Sequence, residues 1–108
     1  MIGGNIEARI QVKTTEKNEI GERVPSWKTI AILWGYLDFM GQSTNSTNFK
    51  TKLEESTHIF ICDYVELEKN VENKRMLIND EVYDITFIDN PMNLNKHLEI
   101  FLEYKGRQ

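Results

Sequence analysis

The sequence predicts an all-β fold: a small antiparallel barrel or sandwich of about six strands, with a long internal loop and at most one short helix. Three observations lead there. Segments at both ends of the chain alternate apolar and polar residues with period 2, as strands with one buried face do. The segments of the second half follow one another so closely that they must pair as a meander. Turn formers, among them Gly21, Pro25, Asn79, Asp80, Asn90 and Pro91, separate the segments. At 108 residues the chain is expected to form one domain, 1–108, with one core.

The first strand is expected over 5–13. Ile6, Ala8, Ile10 and Val12 share one face, and Glu7, Arg9, Gln11 and Lys13 the other. The polar stretch 14–26 reads as a wide hairpin connection, because it holds Asn18, Gly21 and Pro25. The second strand, Trp27 to Leu37, is the most apolar stretch. Its two faces read as Trp27, Thr29, Ala31, Leu33, Gly35 and Leu37 against Lys28, Ile30, Ile32, Trp34 and Tyr36. Neither face is polar, whereas a small antiparallel barrel wets the outside of its strands. Something must cover the second face, either a helix or loop of the same chain or another subunit.

A long connection follows, from Phe39 to Glu55. Its first part, Gly41-Gln42-Ser43-Thr44-Asn45-Ser46-Thr47-Asn48, is polar and uncharged. Loops of this length are uncommon in compact domains and are usually functional, the alternative being a tolerated surface insertion. Thr47 or Asn48 is placed to cap a short helical turn through Phe49, Lys52 and Leu53. With few apolar anchors, the loop is expected to be mobile in the free protein.

The third strand is expected over 57–64, and 66–74 is a charged turn or helical turn. Arg75 to Ile78 turns at Asn79-Asp80-Glu81 into Val82 to Ile88. After Asn90-Pro91 comes the last strand, with Leu98, Ile100, Leu102 and Tyr104 on its buried face and His97, Glu99 and Glu103 outside.

Composition narrows function. Hydrophobic residues at 40% and charged residues at 28% exclude a disordered chain. A net charge of −4 argues against autonomous nucleic-acid binding, which needs a basic face. No apolar run approaches the ~20 residues of a membrane span, and Met1 to Asn5 lacks the features of a signal peptide, so a cytoplasm-like compartment and no membrane partner are expected. The sequon Asn45-Ser46-Thr47 then carries no chemistry. Cys62, the one cysteine, sits between apolar neighbours and reads as a small hydrophobe. His58 and Cys62 are about 13 Å apart on a strand, too far for one metal ion. Asp80, Glu81 and Asp84 lack the spacing of a calcium loop. No nucleophile, phosphate-binding or dinucleotide motif occurs. The expectation is a protein without catalytic residues, cofactor or metal. An oligonucleotide-binding barrel would use Trp34, Tyr36, Phe60, Tyr64 and Phe101 as a stacking platform, but only Lys28 interleaves with aromatics in 27–37.

The order of features resembles the head-tail joining proteins of tailed phages and prophages, also called head completion or stopper proteins. The resemblance rests on Ile6 to Val12, Gly21, Trp27, Ile32-Leu33-Trp34-Gly35 and Gly41. It continues through Thr57 to Tyr64, Arg75-Met76-Leu77-Ile78, Val82-Tyr83-Asp84-Ile85 and Leu98 to Leu102. The hairpin turn departs from it, with Asn79-Asp80 where the family often has Gly. The resemblance implies a homo-oligomeric ring in the virion, assembled in the bacterial host cytoplasm and docked between the portal/adaptor ring and tail proteins. The long loop (Gly41, Gln42, Ser43, Thr44, Asn45, Ser46, Thr47, Asn48, Phe49, Lys50 and Lys52) would face the channel, meeting double-stranded DNA only in passage. Trp27, Ile30, Ile32, Trp34 and Tyr36 are the candidate subunit or partner interface, Trp34 and Tyr36 being either interface or core. The free chain is expected to be a monomer or weak oligomer, since its apolar surplus is confined to one strand. A tail-completion or terminator ring is the alternative within virion assembly.

Overall fold

The computed structural model describes residues 4–39 and 56–108. Six strands form a closed antiparallel barrel: β1 (Ile6–Lys17), β2 (Arg23–Phe39), β3 (His58–Asp63), β4 (Lys74–Ile78), β5 (Glu81–Asp89) and β6 (His97–Arg107). The order around the barrel is β1-β2-β3-β6-β5-β4. Closure leaves no unpaired edge within the barrel itself. The expected barrel is therefore what forms. The expected short helix at 47–53 and the loop from Gly41 to Lys52 lie outside the described residues, and a 3-10 turn at Pro91–Asn93 provides the helical content of the rest.

Alternation fills the interior. Ala8 and Ile10 of β1, Leu33 of β2, Phe60 and Cys62 of β3, Met76 and Ile78 of β4, Ile85 and Ile88 of β5, and Leu98, Ile100 and Leu102 of β6 are buried together. Two bulges explain departures from strict alternation. Ile85 and Ile88 both point inward because Thr86 is an extra residue between the pairs Ile85–Leu102 and Phe87–Phe101. The buried Thr86 hydroxyl donates to the Phe101 carbonyl at 3.0 Å and meets the Ser56 hydroxyl at 2.8 Å. Phe101 faces away from the core and is buried against Phe87, their centroids 5.9 Å apart.

The second bulge is Ile30. Ile10 pairs with Ala31, while Gln11 pairs with Thr29. Ile30 thus shifts the phase of β2, moving Trp27 and Thr29 off the face that carries Ala31, Leu33 and Gly35. This corrects the uninterrupted alternation expected over 27–37. Trp27 and Thr29 instead share the outer face with Gln11 and Arg75. There Arg75 Nε donates to Gln11 Oε1 at 2.8 Å and Gln11 Nε2 to Thr29 Oγ1 at 3.3 Å. This chain of bonds explains why Gln11, expected outside, is buried.

The stretch 14–26 is also corrected. It is mostly strand: β1 runs to Lys17 and β2 starts at Arg23, with a turn from Asn18 to Glu22. Neither strand alternates here because neither face is buried, so the period-2 signal is absent although pairing continues to Lys17–Arg23. β4 leaves β1 at Val12, and β3 joins β2 only from Gly35. The intervening lengths stand out as a two-stranded arm. The long axis is 50 Å and the Cα radius of gyration 15.0 Å, against about 13 Å for a compact chain of this length.

The segment 64–73 crosses one barrel end in irregular conformation, with Leu67 and Val71 packed against the core. At the other end the Asn79-Asp80 turn has both residues at positive φ (49° and 65°), a geometry those two types tolerate. Tyr104, expected inside, is partly exposed at that end, where its hydroxyl donates to Glu81.

Candidate interaction surface

The outer face of β2 is apolar and is not covered by any described residue. Ile32, Trp34 and Tyr36 on it are 54%, 55% and 51% exposed, whereas Ile30, 48% exposed at the bulge, turns to the barrel end beside Ile10 and Leu67. Of the two readings for the second face, cover by the same chain is not provided by any of the described residues. Leu33 and Gly35 take the interior, so the Trp34 and Tyr36 rings point outward rather than into the core. The reason is space: the barrel wall carries a close approach at Gly35, where an added Cβ would lie 2.2 Å from the Ile61 carbonyl oxygen. A small aliphatic row fits such an interior, and the rings do not.

The register extends this surface. Tyr36 pairs with Ile61, and Ile59 pairs with Phe101, so the half-buried Ile59 and Ile61 continue the apolar row onto β3 and toward the Phe101–Phe87 stack. Glu7 and Arg9 pair with Trp34 and Ile32 and form a 3.1 Å ion pair beside them. The result is an apolar strip with a charged rim, the usual anatomy of a protein–protein contact. Trp27 does not belong to it. Its ring is half-buried further along β2 beneath the Arg75 guanidinium, 4.1 Å from the ring centroid.

Other chemistry-bearing residues are occupied structurally. The Cys62 thiol is buried and its pKa pushed up to about 11, first by burial and then by neighbouring Asp63, which makes it a poor nucleophile. His58 stands edge-on to Phe39 and Tyr83, with centroids 5.4 and 5.2 Å away, and its Nδ1 meets the Thr57 hydroxyl at 2.8 Å. Burial, then Glu81, raises the Tyr83 pKa. Among the described residues no three His, Cys, Asp or Glu side chains gather to hold a metal ion.

Sequence reasoning did not single out two exposed features. One is the arm tip with Ile20, for which Asn18 and Gly21 were the signal. The other is the turn after β5, where Asn90 and Asn95 bond side chain to side chain at 2.7 Å and leave Met92 and Leu94 in solvent.

The profile of the family described as phage head completion protein matches residues 5–105. The chain belongs to that family. Its members are head completion proteins, so the chain is a structural component of a virion. Two solved structures share the fold. Protein SF1141 from Shigella flexneri 2a, known in solution, aligns with a TM-score of 0.68 at 16% identity, over 100% of this chain and 98% of that one. A chain of the virion of a native gene transfer agent particle aligns with a TM-score of 0.57 at 12% identity, over 94% of this chain and 96% of that one. No curated protein matches. The resemblance read from strand order and spacing was therefore to the right family.

Proposed function

We propose that this head completion protein acts as a single-domain, non-enzymatic joint between head and tail. In this reading, identical copies form a ring under the portal or adaptor assembly, and tail proteins dock beneath it. The observation that carries the reading is the strip of Ile32, Trp34 and Tyr36, left half exposed on a member of this family, with Ile30 at its end by the bulge. Large rings on a rigid strand contribute much contact area at low entropic cost, which suits a subunit or adaptor contact. Likeness to a chain of a virion particle supports the setting. The channel-facing role of Gly41 to Lys52 rests on the resemblance to the family, and assembly in the host cytoplasm follows from the same reading. Trp27 is proposed as a peripheral member of the contact, since Arg75 already covers one of its faces.

The test is complementation. A phage lacking its own copy is supplied with the wild-type chain or with Trp34→Ala/Tyr36→Ala, and joined particles are counted by electron microscopy. The double variant should melt close to wild type yet leave full heads without tails. Tails joined at wild-type frequency would refute the contact. Wild-type protein found on free tails rather than on heads would move the ring to the tail side.

A further inference from the structure

The arm and the groove at its base fit two different surfaces of neighbouring copies. The tip is a structured knob. Asn18 Oδ1 accepts from the amides of Ile20 at 3.1 Å and Glu22 at 2.9 Å, and the Gly21 amide donates to the Asn18 carbonyl at 3.0 Å. Gly21 has φ of 85°, which a side chain would resist. This turn holds Ile20 out, 77% exposed. Lys17 and Arg23 pair across the ribbon directly behind the knob, and neither makes an ion pair among the described residues.

The receptor is a groove of about 140 Å³ where the arm leaves the barrel. Ile10, Ile30, Leu67 and Ile88 line it, and Glu66, Glu68 and Lys74 complete the lining, two acids to one base. Both acidic residues are exposed, and Lys74, 3.6 Å from Glu68, is the one cation of the lining among the described residues. The groove has room for one aliphatic side chain. The arm cannot fill its own groove, because the ribbon runs away from it. From Val12, the last β1 residue paired with β4, the strand runs about 17 Å to Lys17, and the turn that carries Ile20 adds a few Å. The molecule is 29 × 24 Å across its shorter axes. The tip therefore projects beyond its own barrel, within reach of a copy packed alongside.

We infer that the occupant of the groove is the arm of a second copy: Ile20 enters between Ile30 and Leu67 of its neighbour, and Lys17 and Arg23 face Glu66 and Glu68. The contact is head-to-tail, so each copy gives one arm and receives one, as a ring requires. This inference rests on the ring reading above and adds its polarity.

Charge reversal tests it in the complementation assay. Lys17→Glu/Arg23→Glu and Glu66→Lys/Glu68→Lys each place like charges across every contact and should reduce joined particles at least about tenfold. Supplied together, the two variants restore opposite charges in alternating copies, and joining should return to within about twofold of wild type. Ile20→Ser, whose fold is checked by melting, should lose joining without loss of stability. Variants that each join normally, or a mixture no better than the worse of the two, would overturn the contact. So would failure of the arm variant alone with leakage of DNA, which would place the basic side chains against phosphates. Wild-type particles holding a single copy would instead sink the ring reading itself.

Discussion

The barrel and the arm are built from the same two strands, yet only one of them has a core. Along Arg9–Val12 and Gly35–Phe39, β1 and β2 are flanked by further strands, and the inward side chains pack with Phe60, Met76 and Leu102. Along Thr14–Lys17 and Arg23–Ser26 they pair only with each other. A two-stranded ribbon is marginally stable in water. The stability of the chain therefore resides in the closed barrel, and the arm and outer face are left for recognition. Substitutions should divide accordingly.

The largest effect belongs to the barrel. Phe60 is fully buried, and Phe60→Ala should cost about 3–5 kcal/mol in urea unfolding. A loss below about 1 kcal/mol would mean that the barrel does not carry the stability.

Next is a pH effect. The Cys62 pKa, about 11 in the fold against an ordinary 9.0, is raised, so its contribution is fully present below pH 9 and is lost as pH rises toward 11. Two units correspond to about 2.7 kcal/mol at most. Cys62→Ala should show a smaller alkaline decline than wild type, measured as urea midpoints from pH 8 to 11. Parallel profiles would remove Cys62 as the cause.

A third test adds a methyl group to the barrel wall. Gly35→Ala places a Cβ against the Ile61 carbonyl and should cost about 1–3 kcal/mol by forcing β2 and β3 apart. A small change on the arm, Ser26→Ala, which removes one hydroxyl, should lie within about 0.5 kcal/mol. Equal losses at both sites would erase the distinction between the regions.

The smallest expected effect is at the outer strip. Trp34→Ala should cost less than about 1 kcal/mol, since the ring is already half in water, while joining of particles falls. A loss of about 3–5 kcal/mol would mean that the ring supports the core instead.

What was legible in the sequence follows the same division. The barrel strands announced themselves because one face is buried and alternation records it. The outward aromatic row was legible for a related reason: Trp34 and Tyr36 alternate with Leu33 and Gly35, and one interior cannot hold both sets. The arm was not legible, because a ribbon wet on both faces has no period, and Pro25 within β2 reads as a break. The phase shift at Ile30 was hidden because a bulge is a property of the pair, set by what β1 presents opposite. The groove depends on Leu67, Ile88 and Ile30, which come from three separate parts of the chain, and only closure of the barrel brings them together.

The free-standing ribbon has a consequence for how such a protein can change. Strands inside a closed barrel cannot be lengthened without disturbing register all the way round. The arm is under no such constraint: two residues added to each of its strands keep every side chain on its own face. Each such step would extend the tip by about 7 Å. The arm is thus a ruler whose length can drift by insertion while the barrel stays fixed, and a ring of wider subunit spacing is within reach of one short duplication.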